Sequence, residues 1–240
     1  MSIIKQNGDG HGSLKDIQLL VNNRPHLLDS LIKKNFKELS KEDFSWKSPL
    51  AVEDYAEYRD DDFIAVLGLD VKQICLGNFW PKRGPQWDAL GTASNNAVFL
   101  VEAKANIPEL VSPSSQAGVK SKVIIEKALE EAKTYLGLQN EIAWSGKFYQ
   151  YTNRIAHLYF LRKKGVDAYL INIYFVGDKS VNGPETVDEW KAALQVMYTY
   201  LGLKRHKLNK YMADIFINYV ELRDPVIGEP IYFIQPQKQG

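Results

Sequence analysis

Apolar positions along the chain follow two periods. Near the amino end Leu14, Ile17, Leu20 and Val21 recur at helical spacing and predict a helix over 13–22. Pro25 suits the first turn of a second helix, whose apolar face is Leu27, Leu28, Leu31, Ile32 and Phe36. Residues 50–69 predict a third helix, with Tyr55, Ala56, Phe63, Val66 and Leu67 on its buried face and Glu53, Glu57 and Asp60 to Asp62 making it acidic. The period then shortens to two. An extended run begins at Asp88, and an apolar run from Val98 to Val101 ends in Glu102-Ala103-Lys104. Asn95-Asn96 between them suits the tight turn of a hairpin, because Asn tolerates positive φ. Residues 106–120 read as a loop from their Pro, Ser and Gly content. Ile125, Ala128, Leu129, Ala132 and Leu136 mark an amphipathic helix ending near Gly137. A further helix over 147–164 carries an apolar stripe of Phe148, Tyr151, Ile155 and Leu158 and a polar one of Gln150, Asn153, Arg154 and His157. Val166 to Val176 is a nearly unbroken β-branched and aromatic run, the pattern of a central parallel strand. A last helix is expected over 187–202 and a strand over 213–222, while residues 1–12, polar and Gly-rich, read as a loose end. These elements predict an α/β fold with a central mixed sheet flanked by helices.

Composition narrows the class only mildly. The 240 residues are 45% hydrophobic and 25% charged, ordinary for a globular protein, with a formal net charge of +1. No global field draws such a chain onto nucleic acid, so any such contact must come from a local patch. Cys75 is alone, which excludes an internal disulfide; it lies between Ile74 and Leu76 and reads as a small buried hydrophobe. No apolar run approaches the roughly 20 residues that span a bilayer, and the first residues lack a signal-peptide core, so a cytoplasmic protein with no membrane contact is expected. His11, His26, His157 and His206 have no ligand spacing, which argues against zinc.

The chemistry gathers at the hairpin. Side chains two apart in a strand point to one face, so Glu102 and Lys104 project together and Ala103 faces away. Asp88 stands at the start of the neighbouring run. Two carboxylates and an ammonium on adjoining strands suit a divalent cation and an activated water. The alternative is a same-face ion pair between Glu102 and Lys104, with Asp88 as a turn residue.

An Asp on one strand followed after a variable gap by Glu-X-Lys on the next resembles the PD-(D/E)XK nuclease superfamily, with Asp88 in the first place and Glu102-Ala103-Lys104 in the second. Trp87, not Pro, precedes Asp88, and Pro85 lies three residues before it. The resemblance covers about residues 50–180. It implies a restriction-endonuclease-like core over 46–240, with a helical extension over 1–45, and a metal-dependent nuclease cutting DNA ahead of RNA. It implies Mg²⁺ or Mn²⁺ held by Asp88, Glu102 and the Ala103 carbonyl, with one more acid from the preceding helix: Glu57, or Glu53 a turn earlier. Lys104 would act on the water or the developing charge, and Gln150 would add a polar contact. A non-catalytic nucleic-acid-binding or assembly module on the same fold, and an α/β interaction protein without metal, are the competing readings. The helical arm offers a surface for the core or for a second copy in a homodimer. Lys204-Arg205-His206-Lys207 with Lys210 forms a short basic cluster, read as a solvated face with phosphate contact as its alternative. Trp80, Trp87 and Phe79 read as core before base-stacking residues.

Overall fold

The computed structural model describes residues 3–138, 141–203, 205–223 and 233–234. Its centre is a mixed sheet. Strand β2 (Phe44–Ser48) pairs antiparallel with β4 (Ala89–Ala93), and β4 pairs antiparallel with β5 (Val98–Lys104). β5 runs parallel to β6 (Ala168–Val176), and β6 parallel to β7 (Met212–Asn218); a two-residue strand, β8 (Phe233–Ile234), closes the far edge. Every residue of β6 is buried. A strand of that composition needs both faces covered, and helices supply the cover.

The two faces have separate cores. Val98, Leu100, Leu170, Tyr174 and Val176 meet α5 (Val119–Leu136), α6 (Tyr149–Lys163) and α7 (Val187–Leu201). Phe99, Val101, Tyr169, Ile171 and Ile173 meet α1 (Ser13–Asn23) and α2 (Pro25–Asn35), whose Ile17, Leu20, Leu28 and Leu31 are buried. The amino-terminal helices therefore form a layer of the fold, packed on the sheet.

Three expectations are corrected. Residues 50–69 are not one helix: Asp54, Tyr55 and Asp60 all take positive φ, which the interior of an α-helix excludes. The segment becomes a 3₁₀ turn, a two-residue strand β3 (Glu57–Tyr58) and a short helix α3 (Asp60–Val66). Within the amino end expected to be loose, Ile3–Ile4 form strand β1, paired antiparallel with β3, and residues 5–12 have no regular structure. The strand expected over 213–222 stops at Asn218, and α8 (Tyr219–Arg223) takes the rest. Cys75 is half-buried and closes the short helix α4 (Val71–Ile74) in the left-handed region.

Away from the hairpin, Asp16 on α1 and Asp178 after β6 are both fully buried and lie together. Among the described residues no hydrogen bond reaches either Asp16 oxygen. Arg223, at 3.5 Å and with a side chain 43% exposed, is the cation beside it.

Candidate active site

Register places the site. Ala89 faces Val101 across the β4–β5 pair, so Asp88, one residue before β4, comes to lie opposite Glu102. The Asp88 Oδ2 accepts a 2.7 Å hydrogen bond from the Ala103 N–H. The N–H and C=O of one strand residue point to the same side, so the Ala103 carbonyl also faces past the end of β4, toward Asp88. The Ala103 methyl is buried on the α1–α2 face, while Glu102 and Lys104 share the other. Lys104 Nζ lies 2.5 Å from Glu102 Oε1, so the same-face ion pair exists within the Asp-Glu-Lys constellation.

Arg154 completes the group. It lies on α6 one turn beyond Gln150, and its Nε and Nη2 both reach Glu102 Oε2 at 2.6 Å. Nη2 also donates to the Gln86 carbonyl at 2.7 Å, Nη1 donates to Asn153 Oδ1 at 2.8 Å, and the guanidinium plane stands over the Trp87 ring. Each Glu102 oxygen thus faces a cation in a nearly water-free place. Burial alone would raise the Glu102 carboxyl, but the Arg154 and Lys104 charges hold it below its ordinary value. Lys104 is the mirror case: burial works to lower it, and Glu102 and Asp88 hold it above its ordinary value. Asp88 is pushed well above the carboxylate range by burial and then by the Glu102 charge, with Lys104 opposing.

Glu57 sits near these carboxyls, but on β3 rather than on a helix. Its Oε2 accepts from Gln6 Nε2 at 2.9 Å and Gln86 Nε2 at 2.7 Å. Burial raises it; the two amides oppose and Glu102 adds. Glu53, the other choice, is exposed and holds the Tyr58 hydroxyl at 2.7 Å. Among the described residues no three His, Cys, Asp or Glu side chains come together to hold a metal ion.

Gln150 is exposed at the start of α6, its N–H donating to Ser112 Oγ, and it lines a small cleft with Glu102, Lys104, Tyr151, Asn172 and Tyr174. His157 turns away into a box of Trp80, Trp87, Phe63 and Phe79. Its Nδ1 lies 2.8 Å from the Asn153 carbonyl, and burial pushes its imidazole down to about 3, so it stays neutral. Trp80, Trp87 and Phe79 are core.

Two polar residues were missed. Glu102 pairs in register with Asn172, and Asn172 with Asp214 on β7, a polar row across three strands. Asn172 Nδ2 donates to Asp214 Oδ1 at 3.0 Å, and the Tyr198 hydroxyl donates to Asp214 Oδ2. Their signal in the sequence was an amide and an acid inside otherwise apolar strands. Arg154 carried a similar signal, an Arg among Ile155, Ala156 and Leu158 on a buried helix.

No family model, curated protein or solved structure matches this chain. No helix among the described residues is long and apolar enough to cross a membrane.

Proposed function

We propose that this chain is a metal-dependent nuclease of the PD-(D/E)XK kind, hydrolysing phosphodiester bonds of nucleic acid, with DNA ahead of RNA as substrate. The observation that supports it most is the meeting of Asp88, the Ala103 backbone, Glu102 and Lys104 at one end of β5, beside a cleft. The donor set suits Mg²⁺ or Mn²⁺: two carboxylates and a carbonyl are hard oxygen ligands, and Mg²⁺ takes few from protein and keeps several waters. With all three ionised, the carboxyls Asp88, Glu102 and Glu57 would outnumber the cations Lys104 and Arg154 by one; without a further cation that excess is met by Asp88, which burial and the Glu102 charge push well above its ordinary value. When bound, the metal would acidify a water and offset charge on the phosphoryl group.

The chain's own groups have separate tasks. Asp88 and Glu102 supply oxygens. Arg154 fixes the Glu102 carboxylate against rotation through its fork. Lys104, held protonated, offers an ammonium to the charge that develops on the phosphate. Gln150, at the rim, contacts substrate. The test is cleavage of mixed DNA and RNA with Mg²⁺ or Mn²⁺ by the wild type and by Lys104→Ala. Cleavage by the wild type and none by a folded variant is expected. Full cleavage by Lys104→Ala would remove the Lys from the mechanism.

A second reading is a non-catalytic nucleic-acid-binding or assembly module. It is favoured by the engagement of both Glu102 oxygens by Lys104 and Arg154, which a metal would have to displace in part. Absence of cleavage by the wild type on either nucleic acid selects it.

A further inference from the structure

The end of α6 away from the cleft gathers cations from two segments. Arg162, Lys163 and Lys164 close α6; Arg205, Lys207 and Lys210 come from the loop that leads into β7. Aromatic rings tie the two segments together at two places. Lys207 Nζ stands 5.1 Å over Tyr135, Tyr135 packs 4.9 Å from Tyr159, and Lys163 stands 5.8 Å over Tyr159. Arg162 and Lys210 both lie over Tyr211, at 3.4 and 4.7 Å. Two acids answer them: Glu131 takes Lys163 and Asp167 takes Arg162. Lys164, Arg205, Lys207 and Lys210 are exposed and have no ion-pair partner among the described residues. Lys204, the first residue of the basic run, lies outside the described residues.

Basic residues in the last turn of a helix complement its dipole, which accounts for those on α6. It does not account for the same charge arriving from the 205–210 loop, in a chain whose net charge is +1. We propose that this face binds the phosphate backbone of nucleic acid, outside the cleft. Four unpaired cations match a repeating anion, and ring contacts limit the freedom of Lys207 and Lys210, so less side-chain entropy is lost on binding. Tyr135, 38% exposed, adds a ring edge at the same place. Lys163 lies nine residues after Arg154 on one helix, roughly 14 Å at the α-helical rise. The helix between them is buried from Thr152 to Leu161, so the face is a surface separate from the cleft.

The choice of nucleic acid over another polyanion rests on the nuclease reading; the binding is measurable without it. The test is fluorescence anisotropy of labelled duplex and single-stranded oligonucleotides in EDTA, where metal-dependent cleavage is silent. The triple variant Lys164→Ala, Lys207→Ala, Lys210→Ala should bind roughly tenfold or more weakly and lower the slope of log affinity against log salt by about 2 to 3. Equal affinity and slope in wild type and variant would overturn the proposal. So would equally tight binding of polyglutamate by the wild type with the same dependence on these lysines, which would assign the face to an acidic protein. If the triple variant does not fold, Arg205→Ala alone should lower the slope by about one; an unchanged slope there refutes the face. A wild type that binds but never cleaves sinks the nuclease reading and leaves this one standing.

Discussion

The cleft and the Asp16–Asp178 pair bury carboxyl groups by opposite means. In the cleft each Glu102 oxygen meets a cation, and the group is held as a carboxylate. Between α1 and the segment after β6, Asp16 has a half-exposed Arg223 beside it, while Asp178 accepts from the Ser180 N–H and hydroxyl. Burial, then the Asp178 charge, pushes the Asp16 carboxyl from 3.8 to about 7, with Arg223 opposing. A buried acid is tolerated either by pairing or by keeping its proton. Only the first arrangement keeps a charge in place for chemistry; the second makes a group whose state follows the solution.

Removing the partner is the strongest way to break this contrast. Arg154→Met should cost about 3–5 kcal/mol, because it leaves Glu102 buried with one cation where two stood. Chemical denaturation measures it, and a loss under about 1 kcal/mol would show that Glu102 does not depend on its pairing. Adding Glu102→Gln to Arg154→Met should recover much of the loss, since the stranded charge is then gone.

For Asp16 the sign is reversed. A folded-state pKa raised above the unfolded value means that the fold prefers the protonated form. The contribution to stability is full below about pH 4 and is lost as pH rises through about 7, beyond which it is flat. The slope across that window is on the order of 1 kcal/mol per pH unit. Asp16→Asn removes the titrating proton, so its stability relative to wild type should rise across the window. A difference that does not change with pH would show that Asp16 is as ionised in the fold as in the unfolded chain. Arg223→Ala probes the weakest member of the comparison. Its guanidinium is half-exposed, so a loss of only a few tenths of a kcal/mol is expected, and only above about pH 7, where Asp16 is charged.

The hairpin and the central strand were readable from sequence because their signals are local. Val98 to Val101 and the run ending at Val176 are apolar enough to be strands in any context, and Asn96 takes the positive φ that its residue type allows. Asn95 Oδ1 holds the turn by accepting from the Ala97 N–H at 3.1 Å. The pairing of Glu102 with Lys104 follows from a period of two. Helical spacing over 50–69 misled because periodicity carries no record of three positive φ angles, two of them at Asp54 and Tyr55. What decided the electrostatics was not local at all. Gln6 reaches Glu57, and Arg154 reaches Glu102 across 52 positions of sequence. A polar stripe on a helix shows that a residue faces something polar; it does not show which partner it will meet. Asp16 was hidden for the same reason, since an acid on an amphipathic helix looks solvated until the loop that covers it is known.

The parallel pairing of β5 with β6 also shapes how the chain reaches this state. β4 and β5 can meet through a turn of a few residues, which is fast, but β6 can join only after α5 and α6 have been laid across the sheet. Arg154 travels on that crossover helix. Until it docks, Glu102 lies at an open strand edge with its water intact, and Arg154 arrives together with the strand that excludes that water. The topology therefore predicts that desolvation and neutralisation of Glu102 fall together, when the crossover helix and β6 dock.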